Sequence, residues 1–315
     1  MKLQNSTLAI AIPTYNRSEI LFDNLKSIIK EAKDYNIPIY ISDDSSNNDT
    51  QIIISKIRSE YPLIYYYKNE QSLGHDKNCI KTISLPKEKY IWYLGDSILF
   101  IEGALEKIIN IINSEEYDFI SVNAIGRNLT VKTNQYTDAY NIMNDIGWHL
   151  TLTGATIYKR TSLNIDNLNI NRCKNFPQLV LILNNFSDKK LFWLNDKLIV
   201  SNSKKKSYWE QKVFEVFIDD YSKTLEYIFG NNVPINRFVY HHIHKSQLFT
   251  YFNLLKLRAI GVLNRCVYRQ YKDIFIRFDL PKNGFIRIIN QLPFSVVKKL
   301  FVILLSLKNI IKKNL

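Results

Sequence analysis

The 315-residue chain has few of the residues that mark disulfide-rich or extended proteins, with only three cysteines, nine glycines and eight prolines. Cys79, Cys173 and Cys266 lie far apart, are odd in number and form no C-x-x-C pair. This disfavours a disulfide framework or a zinc site and fits a reducing cytoplasm. The composition, 46% hydrophobic and 23% charged, is that of a globular protein with one large domain, or a domain with an appendage.

Several sequence signals are absent as well. No uninterrupted apolar run is long enough to span a bilayer. The N-terminal stretch lacks the layout of a signal peptide, because its apolar part is short and Pro13 interrupts it. Neither G-x-G-x-x-G after the first apolar run nor G-x-x-x-x-G-K-[ST] occurs, which disfavours a Rossmann dinucleotide site or a P-loop. A bound nucleotide would therefore need a different set of contacts.

Acidic residues are scarce at the C-terminal end. Residues 1–220 contain 26 basic and 26 acidic side chains, whereas residues 221–315 contain 16 basic and 3 acidic and so carry the whole net charge of +13. A basic region suits an anionic partner such as membrane lipid, nucleic acid or a phosphorylated substrate. We therefore expect a domain over residues 1–205 followed by a basic helical region over residues 206–315.

The first 125 residues alternate between strand and helix patterns. Apolar runs predict strands, and apolar residues at helical spacing predict the helices between them. The strands are expected at 8–12, 38–44, 63–69, 90–96 and 117–124, and the helices at 18–35, 50–61, 76–85 and 103–113. Ser18 and Asp76 are the expected N-terminal caps of two of these helices. The alternation indicates an α/β fold with a mainly parallel sheet covered by helices on both faces.

Polar side chains follow three of the predicted strands directly. In parallel sheets, ligands bind at the carboxyl ends of the strands, so we expect these side chains to meet at one site. They are Thr14, Tyr15, Asn16 and Arg17 after the first strand, Asp43 and Asp44 after the second, and Asp96 after the fourth.

Four segments resemble, in order and spacing, the successive motifs of family 2 glycosyltransferases with the GT-A fold. They are AIPTYNR (11–17), ISDDSSNNDT (41–50), KNEQSLGHDKNCIKTI (68–83) and YIWYLGDS (90–97). The likeness is to O-antigen sugar transferases of the abequosyltransferase type, and WHLTLTGATIYKR (148–160) is more loosely similar to the family's acceptor-side strand. The resemblance implies a GT-A fold and transfer of a hexose or deoxyhexose from a nucleotide-diphosphosugar to a lipid-linked or surface-polysaccharide precursor.

The resemblance also implies a donor site. Residues Pro13–Arg17 would border the nucleotide, and Asp43 or Asp44 would accept hydrogen bonds from the base or ribose, which agrees with the acceptor-only chemistry of a carboxylate. Asp76 and Asn78 match the loop and helix start that flank the donor. By themselves, Asp43 and Asp44 also fit a turn with a helix cap, and Asp76 fits simple capping.

The family places an acidic pair or a D-x-D motif after the fourth strand, where Mg²⁺ or Mn²⁺ bridges the donor diphosphate. Here only Asp96 is acidic, and Ser97 and Ile98 occupy positions where the family usually has acids. Three alternatives follow. Asp96 alone holds the metal, or Lys and Arg side chains neutralise the diphosphate, or the site is catalytically degraded. A degraded protein would bind nucleotide-sugar, or scaffold a polysaccharide assembly complex, without turnover.

The general base is not identified by the sequence. Inverting members of the family use a carboxylate beyond the acceptor-side strand, but NRCKNFPQLVLILNNF (171–186) offers Gln178 and no acid. Gln178 cannot take a proton, although it can hold an acceptor hydroxyl. Asp166 and Asp196 lie on either side of this segment, and the base stays unassigned. His149 fits either an acceptor-side position or a structural one.

The C-terminal region reads as aromatic-rich helices. His241, His242 and His244 are expected as a helical surface cluster rather than a zinc site. Pro293 is expected to start a final helix with opposed apolar and basic faces. The apolar face is Leu300, Ile303, Leu304, Leu307 and Ile311, and the basic half is Lys298, Lys299, Lys308, Lys312 and Lys313.

This final helix suits an anionic membrane surface. We therefore expect a peripheral protein on the inner face of the bacterial cytoplasmic membrane, beside a lipid-linked oligosaccharide acceptor. The alternative is a helix packed on the protein's own core. No nucleic-acid partner is expected, because no nucleic-acid motif is recognisable despite the basic, aromatic C-terminal region.

Overall fold

A single mixed sheet with helices on both faces forms the body of the protein. The computed structural model describes residues 6–313 except 128, 185, 206, 208, 231–232, 234 and 279–282. The strands are β1 Leu8–Thr14, β2 Ile39–Asp43, β3 Ile64–Lys68, β4 Tyr90–Tyr93, β5 Ile98–Phe100, β6 Phe119–Ala124, β7 Asn134–Tyr136, β8 Thr156–Lys159 and β9 Leu191–Ser201. The helices are α1 Ser18–Tyr35, α2 Asp49–Arg58, α3 His75–Ser84, α4 Ala104–Ser114, α5 Ala139–Asp145, α6 Pro177–Leu183, α7 Tyr221–Phe229, α8 Ile235–Lys245, α9 Tyr251–Ala259, α10 Arg265–Arg277, α11 Asn283–Gln291 and α12 Phe294–Lys313.

Strand order places most carboxyl ends on one edge of the sheet. The strands follow the order β3-β2-β1-β4-β8-β6-β9-β5, and β7 pairs with β9. Strands β1 to β4 are parallel, and β8 is antiparallel to both β4 and β6. Because β9 is parallel to β6, strands β6 and β9 point the same way as β1. The predicted α/β class with a mixed, largely parallel sheet is confirmed.

The predicted strands and helices of the first 125 residues are all present, with small shifts at their ends. Strands β2, β4 and β6 are buried along their whole length, which explains why they read as unbroken apolar runs. Helix α1 starts at Ser18, but Arg17 holds the cap position and no side chain caps it. In α3 the cap position is Gly74, whose φ of 77° favours glycine, and Asp76 lies inside the first turn. Both capping predictions were therefore wrong.

The side chains form two buried clusters. One is built on β1, β2 and β4 with α1, α2 and α4. The other joins the sheet to the C-terminal helices, since Phe119 and Trp193 from the sheet belong to the same cluster as Phe214 and Phe275. The basic C-terminal region is thus packed on the sheet through a shared core, and the boundary near residue 205 stays a sequence prediction.

Helix α12 shows its predicted apolar face to solvent. It is held to the protein by Val297, which is fully buried, and by Phe301, whose ring centroid lies 5.4 Å from that of Phe252. Leu300, Ile303, Leu304 and Leu307 are all exposed. Packing of this face on the protein's own core is therefore contradicted for these residues. The side chains of Ile311, Lys308, Lys312 and Lys313 lie outside the described part of the chain.

Within the described residues, no single helix has both the length and the hydropathy needed to cross a membrane. Gly284–Gln291 and Phe294–Leu307 satisfy that requirement only together, as a pair bent by 117°.

The histidine cluster lies on α8, as the sequence predicts, but it is not wholly a surface feature. His242 is buried, with its ring 5.2 Å from that of Phe217 and 4.5 Å from that of Tyr221. The expectation of a surface cluster was wrong for this residue because the α8 face that carries His242 packs on the core.

Candidate active site

The site centres on Asp96, which follows β4. The hydroxyl of Thr14 donates to Oδ2 of Asp96 over 3.2 Å, and Nη1 of Arg17 lies 3.4 Å from Oδ1. Strands β1 and β4 are neighbours in parallel register, so their ends deliver these three side chains to one place. Asp96 is 7% exposed. The predicted convergence of the first and fourth motifs is therefore present.

Burial and nearby cations act in opposite directions on Asp96. Burial raises the pKa of its carboxyl above the ordinary value, while the positive charges of Arg17 and Lys205 and the Thr14 hydrogen bond lower it. A carboxylate in this position is ionised at the expense of desolvation and depends on its cationic neighbours.

Ser97 lies where the chain turns from β4 into β5. It is buried, and its carbonyl oxygen accepts a hydrogen bond of 2.8 Å from the amide of Asn202. The next residue, Ile98, pairs with Ser201 at the end of β9. This small residue after Asp96 therefore connects the fourth motif to the segment that follows β9, which the sequence did not associate with it.

Two further cations, Arg127 and Lys205, belong to the same edge. Arg127 follows β6, its guanidinium carbon lies 5.1 Å from the centre of the Trp148 ring, and Nη1 donates to the Trp148 carbonyl over 3.3 Å. Lys205 follows β9, and its amide donates to the carbonyl of Asn202 over 3.1 Å. Burial lowers the pKa of Lys205, the charge of Asp96 raises it, and the charges of Arg17 and Arg127 lower it. Lys205 therefore lies near all three of these charges.

Sequence reasoning missed both cations. The available signal was their position directly after a strand, but the strand β9 was not predicted.

Asp43 is fully buried at the end of β2 and its oxygens are engaged by protein groups. Oδ2 accepts from the Tyr66 hydroxyl at 2.7 Å and lies 3.7 Å from the ammonium of Lys68. Oδ1 accepts from the amide of Ser45 at 2.9 Å, the local turn bond that the composition of this segment also suggested. Asp43 thus shapes the loop after β2, and its contact with a donor stays a prediction.

Asp44 holds a second loop against the site. Its carboxylate accepts from Asn69 and the Leu73 amide at 2.7 Å each, from the Ser72 hydroxyl at 2.7 Å and from the Gly74 amide at 2.9 Å. Burial works to raise the pKa of Asp44, but these four donors together hold it below its ordinary value. Asp44 therefore fixes the loop that leads into α3.

The segment after β1 is tied to the loop after β2. Asn16 has a φ of 51°, its amide donates to the Ser45 hydroxyl over 2.7 Å, and its side chain accepts from the Ser46 amide at 3.1 Å. Pro13 is half-buried within β1, whereas Tyr15 is 55% exposed. The exposed ring of Tyr15 thus stands at the rim of a loop whose backbone is held in place.

Asn78 and Asp76 occupy different positions on α3. Asn78 is buried and accepts from the Ser42 hydroxyl at 2.7 Å, which joins α3 to β2. The carboxylate of Asp76 accepts from the Asn175 amide, 3.1 Å from each oxygen, and lies 2.7 Å from Nδ1 of His75. Asp76 therefore links α3 to the segment just before α6, the helix that contains Gln178.

The acceptor-side candidates are largely enclosed. His149 is fully buried, its Nε2 lies 2.8 Å from the Val122 carbonyl, and burial lowers its pKa to about 3, which corresponds to the structural alternative. Gln178 is buried in α6 and donates to the Thr151 carbonyl over 3.2 Å. Asp196 pairs with Lys107 at the surface. The partners of Asp96 in the described part of the chain are Thr14 and Arg17, and Asp196 is not among them.

The donor set around Asp96 does not fit a divalent cation bound in the manner of a D-x-D motif. Mg²⁺ and Mn²⁺ need several oxygen ligands, and within the described ranges no three His, Cys, Asp or Glu side chains are grouped to hold a metal. The one carboxylate present already contacts the Thr14 hydroxyl and the Arg17 guanidinium. A dication there would be repelled by Arg17 and Lys205.

Comparison with solved structures identifies the fold. S. aureus TarS 1-349, solved in complex with UDP-GlcNAc, has a TM-score of 0.59 at 12% identity, covering 93% of this chain and 90% of that one. The mannosyltransferase PcManGT from Pyrobaculum calidifontis, solved with GDP-Man and Mn²⁺, has a TM-score of 0.54 at 12% identity, covering 94% and 87%. These likenesses confirm the predicted GT-A fold with its helical C-terminal region.

Sequence comparison identifies the family. The abequosyltransferase RfbV of Salmonella typhimurium is 33% identical over 110 residues, or 34% of this chain and 33% of its own length. A GalNAc(5)-diNAcBac-PP-undecaprenol beta-1,3-glucosyltransferase of Campylobacter jejuni is 26% identical over 108 residues, 34% of each chain. The chain thus spans about a third of the length of each of these two relatives. The family model described as glycosyl transferase family 2 matches residues 9–175, more than half of the chain. The chain therefore belongs to glycosyl transferase family 2.

Proposed function

We propose that this family 2 member transfers a hexose or deoxyhexose from a nucleotide-diphosphosugar to a lipid-linked or surface-polysaccharide precursor. The observation that carries the proposal is the meeting of Asp96, Thr14 and Arg17 at the carboxyl edge of the sheet, bordered by the loops that Asp43 and Asp44 hold. Charged and hydroxyl groups at such an edge are suited to a phosphorylated, polyhydroxylated ligand.

The donor class is supported by the neighbours of this fold. TarS was solved with UDP-GlcNAc and PcManGT with GDP-Man, both of which are nucleotide-diphosphosugars. The acceptor class is supported by the names of the relatives. They are an abequosyltransferase, a glucosyltransferase named for a saccharide on PP-undecaprenol, and a minor teichoic acid biosynthesis protein. The second name specifies a saccharide on PP-undecaprenol and the third specifies teichoic acid biosynthesis, and we infer a lipid-linked or surface-polysaccharide acceptor here.

We also infer that the protein works as a peripheral protein on the inner face of the cytoplasmic membrane. Helices α11 and α12 carry apolar side chains that are 39–57% exposed, and residues 221–315 carry a large excess of basic side chains. The exposed set is Ile288, Phe294, Val296, Leu300, Val302, Ile303, Leu304, Leu305 and Leu307. A surface both apolar and basic suits an anionic bilayer, where lipid-linked acceptors reside.

One observation favours a second candidate, a protein that binds nucleotide-sugar without transferring it. The resemblance implies a general base in the region of residues 171–186, but that region offers Gln178 and no acid, and the Gln178 amide donates to the Thr151 carbonyl.

In the deciding experiment, the purified full chain is incubated with a panel of donors, the UDP-, CDP-, GDP- and dTDP-sugars. Undecaprenyl-diphosphate-linked saccharides are supplied as acceptors. Release of nucleoside diphosphate is measured with Mn²⁺ and with EDTA. Transfer of sugar to the acceptor supports the enzyme. Saturable binding of one donor, detected by thermal shift, without transfer under any of these conditions supports the binding protein.

A further inference from the structure

We propose that Arg17, Arg127 and Lys205 form a cationic site that binds the diphosphate of the donor in place of a metal held by a D-x-D motif. The inference rests on the proposed function, since it takes a nucleotide-diphosphosugar as the ligand. It gives a role in diphosphate binding to Arg127 and Lys205, which lie outside the four motifs. Of the three alternatives left open by the single acid Asp96, it selects neutralisation of the diphosphate by Lys and Arg side chains.

The three cations converge from three different strands. Arg17 follows β1, Arg127 follows β6 and Lys205 follows β9, and the carboxyl ends of these strands lie on one edge of the sheet. Backbone hydrogen bonds hold the segments that carry two of these cations, Arg127 and Lys205. The amide of Ile125 donates to the carbonyl of Ile199 over 2.9 Å and the amide of Asn202 to that of Ser97 over 2.8 Å. The segment that carries Lys205 is thus attached next to Asp96 through Ser97, and the segment that carries Arg127 is attached to β9.

Each cation is held in a different way. Arg17 contacts Asp96, and Arg127 stacks over the Trp148 ring and donates to the Trp148 carbonyl. Within the described part of the chain, Lys205 has no ion-pair partner within 4 Å, although Asp96, Arg17 and Arg127 all lie close enough to affect its titration. A half-buried ammonium without a carboxylate partner carries a desolvation cost that an anionic ligand would offset.

The charge balance at this edge matches the ligand. Three cations and one carboxylate belong to this edge, and Arg17 is the cation in contact with Asp96. The set carries an excess of two positive charges when Asp96 is ionised. The diphosphate of a nucleotide-sugar carries one negative charge on each phosphate, so the two groups are complementary. Guanidinium groups bind phosphate oxygens in pairs and ammonium groups act as point charges, which makes this set suited to a diphosphate.

The same geometry explains why Asp96 is kept without a second acid. Its carboxylate contacts Arg17 and its charge acts on Lys205, so it holds one cation directly and offsets the repulsion between the two. In this arrangement Ser97 and Ile98 need not be acids. A second carboxylate would cancel one of the two excess positive charges that the diphosphate requires.

The test measures binding of inorganic pyrophosphate to the full chain by isothermal titration calorimetry, first in EDTA and then with Mn²⁺. We expect the wild type to bind pyrophosphate in EDTA, with an affinity that falls steeply as salt is raised. Lys205→Ala should weaken binding at least tenfold, and Lys205→Arg should restore most of it. Lys204→Ala is the matched control, because Lys204 is exposed and pairs with Asp23 at 2.8 Å, and it should change the affinity less than twofold.

The outcomes separate this inference from the proposed function. Binding that requires Mn²⁺, or a folded Lys205→Ala variant that binds like the wild type, overturns the cationic site. If Lys205→Ala does not fold, the wild type still decides, since absence of binding in EDTA overturns the inference. Sugar transfer that depends on Mn²⁺ would leave the proposed function standing without the site. Pyrophosphate binding in EDTA without any sugar transfer would support the cationic site and contradict the proposed function.

Discussion

The hydroxyl of Thr14 donates a hydrogen bond of 3.2 Å to Oδ2 of Asp96, across 82 positions of sequence. The bond is buried and joins the end of β1 to the turn after β4. Because the amide of Asp44 donates to the Thr14 carbonyl over 2.9 Å, the second motif is attached to the same residue. Thr14 therefore links three of the polar segments that follow the strands, and the chemistry proposed for this edge depends on that connection.

Asp96→Asn should abolish sugar transfer and leave the fold intact. Asparagine keeps the side-chain shape and a hydrogen-bond acceptor for Thr14, but it removes the negative charge that contacts Arg17 and acts on Lys205. We expect a loss of at least about 100-fold in kcat/KM, the range for removing one preorganised electrostatic group. The matched control is Asp196→Asn, which breaks a surface pair with Lys107 and should leave transfer unchanged.

The same variant should not lower thermal stability at pH 7. Burial raises the native pKa of Asp96 above its ordinary 3.8, so the native state holds the proton more tightly than the unfolded chain. Wild-type stability from this group therefore falls as the pH rises from 3.8 through the native value, and Asn lacks that loss. A melting temperature for Asp96→Asn well below that of the wild type, or transfer at the wild-type rate, would contradict the role given to Asp96.

Asp44→Asn should destabilise the loop before α3 in a pH-dependent way. The variant loses charge-assisted hydrogen bonds from Asn69, Ser72, Leu73 and Gly74, and we expect a cost of about 2 kcal/mol in unfolding free energy. The pKa of Asp44 is lowered in the fold, so its contribution is present above 3.8 and is lost as the pH falls through the native value.

Urea unfolding of Asp44→Asn at pH 7 and at pH 3 measures this effect. The difference from wild type should shrink at the lower pH. Asp34→Asn, at an exposed position of α1, serves as the control and should change the free energy of unfolding by less than about 0.5 kcal/mol. A difference that is constant between the two pH values would mean that Asp44 does not act through its charge.

His242→Phe should stabilise the protein and flatten its acid dependence. Burial lowers the pKa of His242 to about 3, and neither ring nitrogen has a hydrogen-bond partner among the described residues. Below pH 6.5 the unfolded chain binds a proton at His242 that the native state does not bind. This residue therefore lowers wild-type stability by up to about 1.4 kcal/mol for each unit that the pH falls.

Phenylalanine keeps the ring contacts that His242 makes with Phe217 and Tyr221 and removes two unsatisfied polar atoms. A gain of about 1 kcal/mol at pH 7 is expected, with a larger gain at pH 5. Denaturant melts at the two pH values test this. An equal or smaller gain at pH 5 would show that His242 does not titrate as the burial implies.

Ile303→Asp should weaken binding to anionic vesicles without altering the fold. Ile303 is 57% exposed on α12, so a carboxylate there costs little in the free protein but opposes insertion beside acidic lipid. We expect roughly tenfold weaker binding in co-sedimentation with phosphatidylglycerol vesicles. Ile52→Asp is the matched control, because Ile52 is 54% exposed on α2, and it should bind like the wild type. Equal vesicle binding by both variants would show that Ile303 on α12 does not contribute to membrane binding.

The sequence was sufficient to predict the helices and strands whose buried residues follow a regular local pattern. Helix α1 spans Ser18–Tyr35 as predicted, and β1, β2, β4 and β6 lie where the apolar runs are. It did not reveal β5 and β7, which are three residues each, or β9, whose burial is interrupted along its length. Such strands are stabilised by pairing with distant strands more than by their own residues.

By itself, the amino-acid sequence determined the α/β alternation, the order of the polar motifs after the strands and the segregation of basic charge to the C-terminal end, because these are properties of neighbouring residues. Only the tertiary structure decided that Arg127 and Lys205 lie at the same edge of the sheet as Arg17, that His149 and His242 are enclosed, and that the apolar face of α12 is exposed. The reason is that strand order and helix packing bring together residues far apart in the chain, and no local pattern records which strand ends become neighbours.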